Sequence, residues 1–373
     1  MTYQLHVGRC EEVLKGMPDN SVDAIVTDPP YGLAFQNHKW DYDVPTVEQW
    51  KECLRVLKPG GHLLAFGGSR TYHRLVVNAE DAGFEIRDQI LWIYGSGFPK
   101  SHNLDGDFEG WGTALKPAHE PIVMARKPFK KTVSANMAEY GTGAINIAAC
   151  RIPTNETLSG GAGGLLSHQR DGTEPVGEYE QSADGRWPAN IIHDGSDEVV
   201  AIFPVNAGAA APVTGKEPSA SSTGHVLGMR KRVATLHHGD KGSAARFFYC
   251  AKVSKNERDQ GMERFISTSA SDMTGGRKEG SAGLNDPRAG AGRTSGAKNN
   301  HPTVKPIALM KYLCRLITPP SGKILDPWVG SGSTGCAAVE EGFDFTGIDM
   351  DPDHITTASA RIAHSFKKST EAA

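Results

Sequence analysis

The chain has 373 residues and a formal net charge of −3 at pH 7, with hydrophobic residues at 38% and charged residues at 22%. That length supports one large domain or two smaller ones, and the composition lies far from collagen, coiled-coil and disordered chains. No stretch approaches the roughly 18 to 20 apolar residues needed to span a bilayer, and Met1-Thr2-Tyr3-Gln4-Leu5 lacks the charged-then-apolar layout of a signal peptide, so a cytoplasmic protein is expected. The near-neutral charge argues against coating nucleic acid by bulk charge, yet Gly228 to Arg258 carries eight Lys and Arg side chains against two acids. The six cysteines are dispersed without a C-x-x-C pair, and the histidines, His237, His238 and His301 among them, have no Cys or acidic partner at ligand spacing. Neither a disulfide framework nor a metal site is expected.

Ser21 to Thr27 is a short apolar run broken by Asp28-Pro29-Pro30. Each proline disfavours helix at the residue before it, so the run predicts a strand entering a turn. Val47 to Leu57 places Val47, Trp50, Leu54 and Leu57 at helical spacing, and Lys58-Pro59-Gly60-Gly61 stops the helix. His62 to Gly67 follows as a buried strand, Tyr72 to Ala82 as a helix closed by Gly83, and Arg87 to Tyr94 as a strand. This rhythm predicts a parallel sheet covered on both faces. Thr154 to Arg186 and Ser271 to Asn300, rich in Gly, Ser, Asp and Thr, read as loops or an insertion. Between them, Trp187 to His193, Glu198 to Phe203 and Arg246 to Val253 fit strands or short helices equally well. Order returns with a helix over Ile307 to Leu316, a strand over Lys323 to Asp326, a glycine-rich turn over Val329 to Gly335, a helix over Thr334 to Glu341, a strand over Phe343 to Asp349 and a helix over His354 to Phe366. That is a complete βαβ unit. Trp92, Trp111 and Trp187 are expected to pack rather than to stack on bases.

Two constellations carry chemistry. Gly330-Ser331-Gly332-Ser333-Thr334-Gly335 satisfies G-x-G-x-x-G between a strand and a helix, and Asp349 ends the next strand 19 residues on from Gly330. Glycines permit close backbone approach, helix N-terminal amides favour an anionic group, and the carboxylate suits ribose hydroxyls, so an adenosine-containing cofactor is expected. Too few residues follow Gly335 for the second half of a dinucleotide-binding sheet, which argues against NAD. Asp326, at the tip of the first strand, would repel a pyrophosphate but suits an ammonium, such as the methionine end of S-adenosylmethionine.

The second constellation is Thr27-Asp28-Pro29-Pro30-Tyr31-Gly32 at the end of a buried strand. The prolines fix the backbone, so the Asp28 carboxylate and the Asp28 and Pro29 carbonyls become forward-pointing acceptors with an aromatic ring beyond them. Such a set suits the exocyclic amino group of a planar base: the acceptors take its N–H donors and Tyr31 stacks on the ring.

Asp28-Pro29-Pro30-Tyr31 resembles the catalytic motif of the amino-group DNA methyltransferases, and Asp326-Pro327-Trp328-Val329-Gly330-Ser331-Gly332-Ser333 resembles their cofactor motif, with Trp328 where Phe is usual. His301-Pro302-Thr303-Val304-Lys305-Pro306 is similar to the segment that closes over the cofactor in that family, which implies cofactor contacts at Thr303, Lys305 and Pro306. The order of the motifs resembles the beta group, in which the catalytic motif comes first. Relatives typically carry an acid where this chain has Arg9, after Gly8.

The resemblance implies a Rossmann-like α/β methyltransferase fold with permuted motif order. Residues 1–128 would form the catalytic half, 129–300 a variable insertion with the target-recognition region, and 301–373 the cofactor half. The insertion would include Arg186-Trp187-Pro188-Ala189-Asn190 and, as phosphate contacts, Arg230, Lys231 and Arg232. It further implies S-adenosylmethionine as cofactor, DNA as partner together with a cognate restriction endonuclease, and no metal. Asp in the first motif position favours adenine N6 as the methylated group. Cytosine N4, an RNA or protein substrate, and a DNA-binding module without turnover are the alternatives.

Overall fold

β2 (Val22–Thr27) is buried along its whole length because its apolar run carries a neighbouring strand on each side and helices on both faces. The computed structural model describes all residues except 34–40, 96, 98–100, 155–184, 208–241, 253–254, 270–296, 302 and 373. It divides into two units: unit 1 spans residues 1–150, 190–199 and 250–373, and unit 2 spans 151–189 and 200–249. Unit 1 therefore takes in residues 129–150, which the sequence reading grouped with the insertion.

Unit 1 is built on a mixed sheet. Its strands are β1 (Tyr3–Val7), β2, β3 (Leu57–Phe66), β4 (Glu85–Ile93), β5 (His119–Arg126), β6 (Ile191–His193), β7 (Tyr249–Cys250, whose Cys250 belongs to unit 1), β8 (Lys323–Asp326) and β9 (Asp344–Asp349), in the order β1-β9-β8-β2-β3-β5-β4-β6-β7. From β1 to β3 all pairings are parallel, but β5 runs antiparallel to both of its neighbours, β3 and β4. The expected all-parallel sheet is corrected there. An antiparallel strand begins where its parallel neighbours end, which becomes important for Glu120.

The helices are α1 (Cys10–Lys15), α2 (Val47–Val56), α3 (Tyr72–Asp81), α4 (Val133–Tyr140), α5 (Asp197–Val200), α6 (Ile307–Ile317), α7 (Ser333–Glu340) and α8 (Pro352–Ala372). Side chains alternate across the sheet, so Ile25, Leu63, Ala65, Val123, Leu325 and Ile348 join one core with Leu14, Trp50, Cys53 and Leu75 from α1, α2 and α3. Ala24, Val26, Leu64 and Ile324, at the intervening positions, are equally buried, and α6 packs on β2 and β3. Thr46 and Gln49 form a reciprocal cap at the start of α2. Lys58-Pro59-Gly60-Gly61 does not open a loop after α2. Leu57 enters β3 directly, and the register with β2 jumps between Val22↔Leu57 and Ala24↔His62, where Gly60 adopts φ +79°.

β8 connects through α7 to β9 on one side, whereas β2 connects through α2 to β3 on the other. The strand order therefore reverses between β2 and β8, and the crevice at their carboxyl ends is where a doubly wound sheet binds ligands. Among the described residues no helix is long and apolar enough to cross a membrane.

In unit 2, Ile152 pairs with Arg186 by two backbone hydrogen bonds. Arg151 lies over the exposed Trp187 ring at 5.4 Å, and Arg186 and Arg246 lie over Phe247 at 4.7 and 4.4 Å. Of the three tryptophans expected to pack, Trp92 in unit 1 is buried against Tyr94, while Trp111 and Trp187 are 69% and 66% exposed.

Candidate active site

The end of β2 carries Asp28 into a turn that other segments hold rigid. The buried Asp41 accepts the Tyr31 amide at 2.6 Å and the Gly32 amide at 3.0 Å through Oδ1, and the Leu33 amide at 3.3 Å through Oδ2. Thr71 Oγ1 donates to the Tyr31 carbonyl at 2.5 Å, and Gly32 takes φ +65°, a conformation that favours glycine.

Both oxygens of Asp28 are engaged. Oδ1 lies 2.8 Å from the Tyr31 hydroxyl, and Oδ2 accepts from Lys305 Nζ at 2.6 Å. Glu120, at the start of β5, places Oε2 2.9 Å from the same hydroxyl and 3.2 Å from the same ammonium. The Lys305 ammonium also lies over the Phe66 ring at 4.9 Å. Burial raises the pKa of Asp28 despite the opposing Lys305 charge. Burial works against the Lys305 ammonium, but Asp28 and Glu120 together outweigh it and its pKa rises. Burial and the two carboxylates keep Tyr31 firmly protonated.

The end of β8 carries Asp326 beside this turn. Thr27 Oγ1 donates to Asp326 Oδ1 at 2.6 Å, joining the tips of adjacent strands, and the Trp328 amide donates to the same oxygen at 3.1 Å. Asp326 is almost wholly buried, and desolvation pushes its pKa up to about 7 against the hydrogen bonds from Thr27 and Thr334. Among the described residues no ion pair offsets that burial. Trp328 packs edge-on against Trp50 at 5.2 Å, so the larger ring in place of Phe is absorbed by the α2 core.

At the end of β9, Asp349 accepts the Gly330 amide at 2.9 Å and the Asp351 amide at 2.9 Å, and contacts His354 Nδ1 at 3.2 Å. Burial opposes its charge, but these hydrogen bonds lower its pKa, and the carboxylate raises that of His354 in return. His301 packs against His354 at 4.7 Å, and burial pushes its pKa down to about 3, so it stays neutral. Gly332, the N-cap of α7, takes φ +82°. From α8 the buried Arg361 reaches under this turn, donating to the Ser331 carbonyl at 2.6 Å and to Ser331 Oγ at 3.1 Å.

One cavity of about 720 Å³ takes in Asp28, Pro29, Pro30, Tyr31, Thr303, Lys305, Asp326, Pro327, Trp328, Gly330, Ser331, Ser333 and Asp349. The structure thus brings the catalytic and cofactor candidates together. Gly332 and Pro306 stand next to lining residues, and Arg230, Lys231 and Arg232 lie outside the described residues. Lys305, expected as a cofactor contact, is 6% exposed and paired with Asp28 of the first motif. Arg9 lines the cavity and is tied to Glu11 at 2.5 Å. Sequence reasoning missed Asp41 and Glu120. Glu120 had a readable signal, a charged residue heading the apolar run Ile122-Val123-Met124-Ala125. Among the described residues no cluster of three or more His, Cys, Asp or Glu side chains is placed to hold a metal ion.

The sequence model of the DNA methylase family, N6_N4_Mtase, matches residues 22–360. The type II methyltransferase M.HindIII of Haemophilus influenzae is 28% identical, over a match covering 36% of this chain and 61% of the relative. The type II methyltransferase M.HpaI of Haemophilus parainfluenzae is 29% identical, over 35% of this chain and 41% of the relative. The chain thus matches less than two thirds of the length of either. The structure of the cytosine-N4-specific PvuII DNA methyltransferase aligns with 100% of this chain and 91% of its own, at 14% identity and a TM-score of 0.46.

Proposed function

Because the chain belongs to the N6/N4 DNA methylase family, we propose that it is a site-specific DNA methyltransferase acting on the exocyclic amino group of adenine, at N6, with S-adenosylmethionine as methyl donor. The observation that carries this reading is the meeting of Asp28 and Asp326, the tips of β2 and β8, in one cavity. The choice of adenine rests on Asp at the head of Asp28-Pro29-Pro30-Tyr31. By extension from the two type II relatives, the proposed partners are DNA and a cognate restriction endonuclease, and the proposed location is the cytoplasm.

The residues fit the methyl donor. Asp326 is a buried carboxylate whose pKa is raised by burial and suits the ammonium of the donor's methionine end, while the ionised Asp349 suits its ribose hydroxyls. A Cβ at Gly330 would stand 2.9 Å from His301 Nε2, so the bare backbone there keeps the turn close to its neighbours. S-adenosylmethionine supplies, when bound, a methyl group on a positively charged sulfur that is already activated for attack by a nitrogen lone pair.

The protein's task is then orientation and electrostatics. Asp28 and the Pro29 carbonyl accept the two N–H donors of the flipped base, which localises the lone pair on the amino nitrogen. Tyr31, anchored through its hydroxyl, offers its ring for stacking.

The test is to incubate the protein with methyl-labelled S-adenosylmethionine and unmethylated DNA, digest to nucleosides and identify the labelled one. Label in N6-methyladenine is the expected result. Label in N4-methylcytosine would retain the mechanism and overturn the base. No label in DNA despite donor binding would redirect the search to RNA, protein or binding without turnover.

A further inference from the structure

Each donor that occupies Asp28 has a second acceptor within reach, and it is the same atom. Lys305 Nζ lies 2.6 Å from Asp28 Oδ2 and 3.2 Å from Glu120 Oε2. The Tyr31 hydroxyl lies 2.8 Å from Asp28 Oδ1 and 2.9 Å from Glu120 Oε2. The hydroxyl has one proton, so it serves one carboxylate at a time.

This geometry answers a difficulty in the mechanism. A target amino group needs a free carboxylate oxygen, yet an ammonium and a phenol hold both oxygens of Asp28. An ammonium on the accepting oxygen also withdraws the electron density that would localise the lone pair. Pushing Lys305 off without a replacement partner would leave a buried ammonium unpaired, which burial strongly disfavours. Glu120 removes that cost, because its Oε2 already lies 3.2 Å from the ammonium.

We propose that Glu120 is a positioning residue for methyl transfer: it takes over Lys305 and the Tyr31 hydroxyl as the base enters, leaving Asp28 to accept the amino group. The proposal rests on the reading above and adds Glu120 to the residues it names. The antiparallel direction of β5 makes it possible, since the start of that strand lies at the edge where β2 and β8 end.

The experiment compares Glu120→Gln, Glu120→Asp, Lys305→Met and the double variant Glu120→Gln/Lys305→Met with the unmodified chain and with Asp28→Asn, in single-turnover methyl transfer and in S-adenosylmethionine binding. Glu120→Gln keeps the shape and a hydrogen-bonding carbonyl but loses the charge. Its kcat should fall about tenfold or more while the KM for the methyl donor stays within about twofold, and Glu120→Asp should recover part of the loss. In the Lys305→Met background the same change should have little further effect, because the cation that Glu120 must accept is gone. Equal losses from Glu120→Gln with and without Lys305 would overturn the proposal, as would wild-type kcat in Glu120→Gln. Those outcomes stay distinct from failure of the parent reading, which would appear as full activity in Asp28→Asn.

Discussion

Thr27 Oγ1 donates to Asp326 Oδ1 at 2.6 Å, a bond between residues 299 positions apart that ties the strand leading to the catalytic turn to the strand leading to the glycine-rich turn. The two strands are parallel neighbours, so their next residues enter one crevice. The spacing between the acceptors for the amino group and the carboxylate for the methyl donor is thereby set by backbone pairing rather than by flexible loops.

Asp28→Asn should lower the methyl-transfer rate by about 100-fold or more, because the amide replaces an ionised acceptor where charge develops. Affinity for S-adenosylmethionine should change little. Single-turnover rates and equilibrium binding of the same sample check both statements.

Asp326 gives cofactor binding a pH dependence of defined sign. Burial pushes its pKa up to about 7, so at pH 6 the group is largely protonated. A ligand ammonium favours the carboxylate, so binding should expel a proton and affinity should rise with pH up to about 7, then level. Calorimetry in buffers of different ionisation enthalpy should show that proton release at pH 6, and Asp326→Asn should abolish it.

Lys305→Met removes the cation from a cluster holding Asp28 and Glu120, at 17% and 21% side-chain exposure. Breaking a buried pair from one side should cost about 3 kcal/mol of folding stability. With Lys305 gone the pKa of Asp28 should rise further, so the acid limb of the activity profile should move to higher pH. Denaturant titration and a pH–rate series measure the two effects.

Arg361→Met should loosen the turn around Ser331 by removing charge-assisted hydrogen bonds at 2.6 and 3.1 Å. Losing them should weaken S-adenosylmethionine binding about tenfold. The rate at saturating methyl donor should hold, since Arg361 does not line the cavity. Binding isotherms set beside saturated rates separate these outcomes.

The strand and helix periods, the prolines after Thr27 and the glycines after Val329 were legible in the sequence, because each records a local backbone requirement. β8 begins and ends where the periodicity places it, and α6 and β9 differ from expectation by one residue at one end. The sequence reading placed no strand over His119–Arg126, and the direction of β5 was not legible either, because a buried apolar run reads the same whether its neighbours are parallel or antiparallel. That direction decides whether Glu120 lies at the catalytic end or the opposite one.

Residue order alone specifies which residue types the chemistry has: acceptors beside prolines, a glycine turn opening a helix, a carboxylate at a strand tip. Their partners were decided only by tertiary structure. The resemblance implies a cofactor contact at Lys305, and only folding buries that lysine between Asp28 and Glu120, 277 residues from one of them. Asp41 becomes the clamp of the Tyr31 turn only when the chain returns to it. Local propensity acts over a few residues, whereas the burial that shifts the pKa values of Asp28, Asp326 and Lys305 exists only once distant strands have paired.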